Sequence, residues 1–480
     1  MYRQRTFFSF FFLICMVWIG FSSCEDMMFS TNPNQRIHIS ADTVSFDTLF
    51  TGVGSTTKIF NIYNPSKNRI KIDAIELVGA THYSLNINGV LTDALHDISL
   101  KANDSMRIFV QAYVDPSDQF TPFIVKDSII IRSNTHTYKV VLQAYGQDAY
   151  RVSKRQIMAD TTWLAEKPYL ILDTLTIAQG ATLTLSEGVS LYFVKHASLQ
   201  VYGTLKAKGI QSKPVVFRGD RMDNMFDNLP YDKVPNQWQG IRFRKGSAHN
   251  ELNYVVVKNT NQGIVLDSTS LEVLALAISN SIINNSATNL ITASHTVMHI
   301  SNSVVYNAGQ SCLVLQGGKY NVVHSTIANY FSFPWVGRKA TSVLLSNYIN
   351  LGSQAMPVPL LEANFINSIV YGSWSNEVSV SSSYLNQKIE EPLVYVFKNS
   401  VIKISPATIN DTNFLEIIAN QDPKFNATKP YNYDFTLQSS SPALGNADNL
   451  VAAEYPIDML GRQRLFNDKA DIGAYVIIAE

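Results

Sequence analysis

The sequence predicts an all-β protein in which a β-sandwich is followed by a parallel β-helix. Residues 37–149 contain short apolar strands separated by turn-forming clusters, which is the pattern of a sandwich. Residues 150–445 contain a repeat with a spacing of 22 residues in its clearest part, rich in Val, Ile, Asn and Ser. Each repeat is too short for a helix, a strand and their turns, so a stack of β-strands fits best.

The first 23 residues are typical of a signal peptide. Arg3 and Arg5 give a basic start, and residues 7–21 (FFSFFFLICMVWIGF) form an apolar run. This run is shorter than the ~20 residues that a membrane span needs, but it suits the core of a secretion signal. We therefore expect residues 1–23 to direct export.

Residues 21–24 (FSSC) resemble the lipobox of bacterial lipoproteins. The resemblance implies that the Cys24 thiol is acylated, that residues 24–36 are a lipidated linker and that the membrane is a partner through this anchor. Glu25 and Asp26 resemble the surface-export signal of Bacteroidetes lipoproteins, although a solvated linker explains them equally well. The implied location is the outer membrane, on either the periplasmic or the cell-surface side. A soluble secreted protein is the alternative.

The number of cysteines and the net charge argue against intramolecular disulfides and against nucleic-acid binding. Cys15 lies in the signal and Cys24 is the predicted anchor, so Cys312 is left alone and no intramolecular disulfide is expected. Cys312 begins an apolar stretch, residues 312–315, which predicts a buried thiol. Lys plus Arg and Asp plus Glu both total 38, and no basic stripe is present. Nucleic acid is therefore excluded as a partner.

The region 37–149 predicts a sandwich of roughly seven strands. The strands expected from its apolar runs are residues 57–62, 70–75, 106–110, 128–131 and 139–142. Residues 44–47 (VSFD), Asn64-Pro65, Asp115-Pro116 and Tyr145-Gly146 occur in an order that resembles bacterial immunoglobulin-like domains of the abnormal-spindle type. That resemblance implies a spacer or a binding module.

The repeat is clearest between residues 278 and 327. Residues 278–283 (ISNSII), 300–305 (ISNSVV) and 322–327 (VVHSTI) follow at offsets of 22, and further copies begin near residues 345, 365 and 397. Stacked coils lie about 4.8 Å apart, so equivalent residues form columns. We expect an inward column with Ile282, Val304 and Ile369. A structural ladder is predicted at Asn280, Asn302, Asn367 and Asn399, with His324 and Asn347 in the same column.

Segments on both sides of the repeat carry a family resemblance. Residues 183–193, 199–209 and 237–243 resemble the opening coils of bacterial right-handed parallel β-helix proteins, the pectin-lyase-like fold. This implies a β-helix over residues 150–445 but no particular activity. Segments within residues 433–475 resemble the closing part of surface β-helix proteins, which implies that residues 446–480 are a cap over the last coil. In that cap we expect Asp458, Arg464 and Asp471 to form salt bridges.

The sequence assigns no catalytic residues. Enzymes of the resembled fold cleave acidic polysaccharides, and hydrolysis needs two carboxylates roughly 5–10 Å apart. Between residues 268 and 361 the only acidic residue is Glu272, and the acidic residues that follow have no partner at the repeat spacing. The alternative is a polysaccharide-active enzyme, a lyase or a hydrolase, of which a lyase with Lys319 or Arg338 as its base fits better. A purely structural envelope component is a third possibility.

No metal or cofactor is predicted either. Asp220, Asp223, Asp227 and Asp232 could together bind calcium, but their spacing matches no defined loop and a solvated insertion fits better. His295 and His299 are four residues apart without an evident third ligand, so we do not expect zinc there.

Aromatic residues are the binding candidates. They are Tyr306, Tyr330, Trp335, Tyr371 and Trp374. Exposed aromatic faces bind sugar rings through apolar contact, whereas stacking inside the coils is the alternative. The sequence thus predicts an envelope lipoprotein with a non-catalytic β-helix that presents a surface to a glycan or a protein.

Overall fold

The structure, a computed structural model, describes residues 29–477 apart from residues 31, 80, 81, 119, 227, 334, 335 and 407–410. Cys24, Asp227 and Trp335 therefore lie outside the described residues, as does the predicted signal peptide. The chain forms two compact units, Met1–Asp148 and Ala149–Glu480. No helix among the described residues is long and apolar enough to cross a bilayer.

The first unit is an immunoglobulin-like β-sandwich of two five-stranded sheets. One sheet is antiparallel, with the strand order His38–Ile39, Lys58–Tyr63, Ser105–Ala112, Tyr83–Ile87 and Val90–Leu91. The other has the order Thr43–Phe50, His136–Gln147, Phe123–Ser133, Ile70–Val78 and Ala94–Leu100. In this second sheet only the first pair of strands is parallel.

The sandwich core forms because each strand alternates buried and exposed side chains. In Ser105–Ala112, for example, Met106, Ile108 and Val110 are buried. They join residues of the opposite sheet such as Ile72 in one apolar core. The predicted turn at Asn64 is structural: the buried Asn64 amide donates to the carbonyl oxygens of Asn68, Leu100 and Lys101.

The second unit is a parallel β-helix built on two long sheets. The narrow sheet has eleven strands: Tyr150–Val152, Tyr169–Ile171, Ser190–Phe193, Val215–Gly219, Val255–Lys258, Ile282–Ser286, Val304–Ala308, Thr326–Asn329, Ile369–Gly372, Val401–Ile402 and Ile418–Ala419.

The wide sheet has seventeen strands: Gln156–Ile157, Thr161–Trp163, Leu175–Ile177, Thr182–Leu185, Leu199–Val201, Thr204–Lys208, Ile241–Phe243, Asn250–Asn253, Ile264–Leu266, Leu276–Ser279, Ile291–Ser301, Leu313–Val323, Val343–Ser346, Leu360–Ile366, Val378–Ser381, Val396–Lys398 and Phe414–Leu415. A central coil contributes one strand to the narrow sheet and two short strands, or one long strand, to the wide sheet.

Among the residues that the structure describes, short hairpins and two helical elements complete the unit. The hairpins pair Asn224–Phe226 with Leu229–Pro230, Tyr348–Asn350 with Ala355–Pro357, Ser383–Tyr384 with Gln387–Lys388, and Phe425–Lys429 with Asn432–Leu437. The helical elements are a 3₁₀ turn at Tyr231–Lys233 and an α-helix at Asn449–Glu454.

The predicted inward column was wrong by one residue. The side chains that fill the interior are those of Ile283, Val305, Ile327 and Val370, which are fully buried in the helix core. Ile282, Val304 and Ile369 lie on the outer face of the narrow sheet, where they pack with residues of the C-terminal part of the chain. Both faces of this sheet are apolar, so the sequence pattern could not tell them apart.

The asparagine column exists, but Asn347 is not part of it. Strand pairing places Asn280, Asn302, His324, Asn367 and Asn399 at one position in successive coils, and each has a left-handed backbone with φ between 45° and 52°. Asn and His tolerate this conformation better than most residues. Asn347 instead follows Val343–Ser346, which pairs with Leu313–Gln316 in another part of the coil. The chain between His324 and Asn367 is thus one long coil, not two short ones.

Some asparagines of the column bond to the neighbouring coil, such as Asn280 to Asn253 Oδ1 and Asn367 to His324 Nε2. Serines one residue after the column form a continuous series of such bonds. The backbone N–H of Ser281 donates to Ser303 Oγ at 3.1 Å, and that of Ser303 donates to Ser325 Oγ at 3.3 Å. Ser325 and Ser368 continue the series, in which Ser400 is the last acceptor. All five are fully buried, so these bonds satisfy backbone donors that water cannot reach.

Residues 421–477, here called the C-terminal segment, run along the side of the β-helix. Asp448 pairs with Lys398 at 2.7 Å in a late coil, and the Gln211 amide of an early coil donates to Leu460 O at 2.9 Å. His299, in a central coil, lies 3.2 Å from the Tyr455 hydroxyl. The segment therefore covers much more than the last coil, because it follows the exposed apolar columns of the narrow sheet.

The expected salt bridges of this segment are absent from the described part of the chain. The Asp458 carboxylate accepts backbone N–H groups, including that of Val476 at 2.9 Å, and Asp471 likewise accepts from Gly445 at 2.9 Å. Arg464 is fully buried and donates to Gly473 O and Asn302 Oδ1. Burial lowers the Arg464 pKa to about 10, and Asp458 and Asp471 act in the opposite direction.

Candidate functional site

A pocket of about 340 Å³, here called the polar pocket, lies on the outer face of the narrow sheet. Its floor comes from three consecutive coils, in which Lys258, Asn284 and Tyr306 stand side by side in register. Strand stacking brings together residues that are 22 or 26 positions apart in the sequence. The site is therefore a product of the coil spacing.

Three loops form the walls of the polar pocket. They are the turn after Pro230, the loop after strand Thr326–Asn329 and the tip of the hairpin in the C-terminal segment. The wall residues are Asp232, Lys233, Pro235, Phe331, Ser332, Phe333, Tyr431, Asn432 and Tyr433. Aromatic rings and polar groups thus face one space, which is the usual composition of a small-ligand site.

The floor contains hydrogen-bonding groups that are held in place. Asn284 Nδ2 donates to the Tyr306 hydroxyl at 2.7 Å, and Asn284 Oδ1 is buried without a hydrogen-bond partner among the described residues. Burial raises the pKa of Tyr306 to about 12, so its hydroxyl stays protonated. The Tyr306 ring is fixed from above by Phe435, whose ring centroid lies 4.9 Å away.

Asp232 is the one acidic residue among the described lining of the polar pocket, and cations surround it. Asp232 lies 2.6 Å from Lys258 Nζ and 2.8 Å from the Arg218 guanidinium. Burial would raise the pKa of Asp232, but these cations outweigh it and lower the pKa. Burial also lowers the Lys258 pKa, against the effect of Asp232. Lys233 Nζ donates to the Tyr431 carbonyl. The pocket therefore offers paired charges and neutral polar groups.

The described carboxylates of the acidic loop, those of Asp220, Asp223 and Asp232, do not converge on one site. Asp223 forms a bidentate pair with Arg221, at 2.6 and 2.7 Å, whereas Asp232 turns toward Lys258. Burial raises the pKa of Asp220. Three or more potential metal ligands do not converge anywhere among the described residues. The carboxylates of this loop serve mainly to fix the wall of the pocket.

The loop that carries Phe331 and Phe333 is clamped by a buried ion pair. Arg338 and Glu377 form a bidentate contact with side chains that are 2 % and 0 % exposed. The Glu377 carboxylate also accepts from the Ser342 hydroxyl at 2.7 Å, and the Arg338 guanidinium lies 4.8 Å from the centre of the Trp374 ring. This clamp holds the wall in one position.

A second pocket of about 620 Å³, here called the apolar pocket, adjoins the first. The two share Pro235, Phe331 and Phe333 as a common wall. The other apolar residues that line it are Val194, Met225, Tyr231, Val234, Ala287 and Val336. Arg221 also lines this pocket and covers the Tyr231 ring at 3.9 Å. The other polar and charged residues of the lining are Lys195, Asp220, Asn236 and Gln237.

The predicted aromatic candidates separate in the structure. Tyr306 lines the polar pocket, and Tyr330 lies beside it under the C-terminal segment, where its carbonyl accepts from the Tyr433 hydroxyl. Tyr371 is in the same column as Tyr306, two coils further on, but it is buried, with Lys403 over its ring. Trp374 is partly exposed and stacks on Arg338. Trp335 lies outside the described residues.

Neither predicted lyase base lines the polar pocket. Arg338 is buried and paired with Glu377, so as a base it was a wrong choice. A guanidinium is a hydrogen-bond donor only and has no lone pair with which to take up a proton. Lys319 lies on the wide sheet, where its ammonium donates to Leu271 O at 3.2 Å.

Sequence reasoning missed most of the wall and part of the lining. Asn259, Asn285, Asn307 and Asn329 form a second asparagine column at offsets of 26, 22 and 22 residues. Two of them, Asn285 and Asn307, line the polar pocket. The same repeat that revealed the first column could have revealed this one. Phe331 and Tyr433 carry no such signal, because they belong to loops outside the repeat.

Comparisons with known proteins add little. The sequence matches no protein-family model, and no curated protein matches it. The catalytic unit of a thermostable GH87 α-1,3-glucanase from Streptomyces thermodiastaticus is similar at 9 % identity and a TM-score of 0.22, over 76 % of this chain and 89 % of that chain. The ASH/PapD-like domain of human CEP192 is similar at 11 % identity and a TM-score of 0.17, over 27 % and 94 %. TM-scores this low do not establish a shared fold. The fold of this chain is defined by its strand pairing.

Proposed function

We propose that this protein is a cell-envelope lipoprotein, anchored through Cys24, whose β-helix binds a neutral glycan without cleaving it. The anchor rests on the basic start, the apolar run and the FSSC sequence at residues 21–24. The outer membrane is the proposed location. In this arrangement the sandwich serves as a spacer between the lipid and the binding unit.

The observation that carries glycan binding is the polar pocket. Sugars present apolar ring faces together with many hydroxyls, and this pocket offers rings such as Tyr306 and Phe333 beside the amides of Asn285 and Asn432. We favour a neutral sugar over an acidic one because both lysines of the lining are already engaged within the protein, Lys258 by Asp232 and Lys233 by the Tyr431 carbonyl.

The residues of the polar pocket argue against glycoside hydrolysis. Glycoside hydrolysis canonically uses two carboxylates, and Asp232 is the only described acidic residue in the lining. It is held by Lys258 and Arg218, and its lowered pKa makes it a poor proton donor. A polysaccharide lyase remains the second candidate because Lys319 forms no ion pair among the described residues.

A glycan array with the chain from residue 25 onward tests the proposal. We expect binding to neutral glycans and no new chain ends when the same glycans are incubated with the protein. Tyr306→Phe should weaken binding roughly 3- to 10-fold, since a neutral hydrogen bond contributes about 0.5–1.5 kcal/mol, and Tyr306→Ala should weaken it further. Tyr371→Ala is the matched control from the same column.

The outcomes distinguish glycan binding from lyase activity and test whether the polar pocket is the binding site. Unsaturated products would support the lyase instead, and Lys319→Ala should then abolish them. Equal effects of Tyr306→Ala and Tyr371→Ala on binding would argue against the polar pocket as the site. The anchor is tested separately by labelling cells with a palmitate analogue: the wild-type chain should carry the label and Cys24→Ala should not.

A further inference from the structure

We infer that the apolar pocket takes an apolar substituent, such as an alkyl, acyl or aryl group, that is attached to the glycan in the polar pocket. This inference rests on the proposed function and names the ligand class more closely. The two pockets share Pro235, Phe331 and Phe333, so a ligand that occupies the first is in contact with the wall of the second. The ligand would then be an amphipathic glycoconjugate.

The composition of the apolar pocket supports an apolar occupant. Val194, Met225, Val234 and Val336 line it with the shared wall, and its volume of about 620 Å³ exceeds that of the polar pocket. Both volumes lie in the range of roughly 300–1,000 Å³ that is usual for small-ligand sites. Val336 is 40 % exposed, although Val side chains are favoured in the interior.

The walls of the apolar pocket are held open by specific hydrogen bonds. Gln237 Nε2 donates to Val234 O at 2.8 Å, and Asn259 Nδ2 donates to Val234 O at 3.0 Å, so the turn after Pro230 is fixed from below. The opposite wall is fixed by the Arg338–Glu377 pair. A cavity between two fixed walls cannot collapse to bury its own lining, and a preformed site loses less entropy on binding.

Arg221, a charged residue of the apolar pocket, does not bind the polar part of the ligand. Arg221 is paired with Asp223 and covers Tyr231, so its guanidinium is already used within the wall. The sugar is accommodated by the amides of the polar pocket, on the other side of Phe331 and Phe333. The ligand therefore spans this shared wall, with its hydroxyls on one side and its apolar group on the other.

The test compares neutral mono- to tetrasaccharides, each prepared as its methyl and its octyl glycoside and kept below the concentration of micelle formation. Titration calorimetry on the chain from residue 25 onward measures both affinities. Burial of one methylene is worth about 0.8 kcal/mol, or about fourfold in affinity. We expect the octyl glycoside of a bound sugar to bind at least tenfold more tightly than its methyl glycoside.

Substitutions test whether the tighter binding of the octyl glycoside depends on the apolar pocket. Met225→Glu and Val336→Asp place a charge in the apolar pocket and should each remove the octyl gain. Phe226→Glu is the matched control, since Phe226 neighbours Met225 on the same strand, is 53 % exposed and does not line the pocket, so it should retain the gain. Thermal melting monitored by circular dichroism checks that each variant is folded.

The possible failures are distinguishable. Methyl and octyl glycosides that bind equally well would overturn this inference and leave the proposed function standing. An octyl gain that survives in both Met225→Glu and Val336→Asp, with both variants folded, would also overturn it. If no glycoside binds at either chain length, the proposed function fails, and this inference fails with it.

Discussion

At the scale of single residues, His324 shows how one position in a column can acquire a separate property. It occupies the asparagine position of its coil, and its Nε2 lies 3.0 Å from Asn367 Nδ2, which donates to it. The ring must therefore be neutral. Burial, together with the nearby Arg464, lowers the His324 pKa well below its usual value of 6.5.

Because the His324 pKa is lowered in the folded protein, the stability of the protein should depend on pH. In the unfolded chain His324 takes up a proton near pH 6.5, whereas in the folded protein it does so only at lower pH. The free energy of unfolding should therefore be constant above pH 6.5 and should fall below it, by at most about 1.4 kcal/mol per pH unit for this group. Urea unfolding between pH 7.5 and pH 5 measures the slope.

Two variants identify the group responsible. His324→Asn restores the residue of the neighbouring coils and should reduce the acid-induced loss. His299, whose pKa burial also lowers, should account for part of the remaining slope. His249→Asn is the control, because His249 has the same left-handed backbone but is exposed. The assignment to His324 is wrong if His324→Asn and the wild type lose stability in parallel.

The serine series makes a second prediction at the residue scale. Ser303→Ala removes the acceptor of the Ser281 N–H and leaves this buried donor unpaired. We expect a loss of about 1–3 kcal/mol in the free energy of unfolding. Ser439→Ala, at an exposed turn of the C-terminal segment, should change it by less than about 0.5 kcal/mol. Similar losses in the two variants, measured by urea unfolding, would mean that the series is not important for stability.

At the scale of elements, the loops that interrupt the coils depend on buried polar contacts. The loop after strand Thr326–Asn329 contains one partner of the buried Arg338–Glu377 pair. Removing one partner of a buried pair leaves the other charge uncompensated, which costs about 3–5 kcal/mol. The wall of both pockets therefore depends on a contact that does not itself face a ligand.

Glu377→Gln tests this dependence. We expect a loss of about 3–5 kcal/mol in the free energy of unfolding, together with weaker glycan binding, because Phe331 and Phe333 lose their fixed position. Glu390→Gln breaks the exposed pair with Lys388 and should leave both quantities unchanged. If Glu377→Gln binds glycans with wild-type affinity while it remains folded, the clamp does not position the wall.

At the scale of the whole β-helix unit, the C-terminal segment and the coils stabilise each other. Phe435 lies at the centre of an aromatic cluster with Tyr306, Tyr330, Phe425 and Tyr433. Without this segment the outer columns of the narrow sheet would expose a continuous apolar surface. Such surfaces promote association in solution. The cluster also forms one side of the polar pocket.

Phe435→Ala should therefore affect both stability and the site. A buried Phe→Ala change typically costs about 3–5 kcal/mol, and we expect a loss of this size in the unfolding free energy together with weaker glycan binding. Leu450→Ala, in the same segment but 83 % exposed, is the control. Stability within about 0.5 kcal/mol of wild type in Phe435→Ala would show that the segment is not coupled to the coils.

The sequence repeat and its residue composition were sufficient to predict the β-helix architecture of this protein. Strand formers at regular spacing, with Asn and Ser at the turns, specify stacked coils because no other arrangement buries units of this length. The left-handed backbone at Asn280 and Asn302 follows from the same pattern. Tyr306 was identified as a candidate from its place in the repeat, and it does line the polar pocket.

Tertiary structure alone decided which side of the narrow sheet faces the core, where the inserted loops lie and what completes the site. Ile282 and Ile283 are both apolar, and only the packing of the C-terminal segment places Ile282 outside. Asn347 has the right neighbours in sequence but belongs to another part of its coil. The physical reason is that loops and long-range contacts have no period, so Phe331 and Tyr433 meet Tyr306 only through the fold.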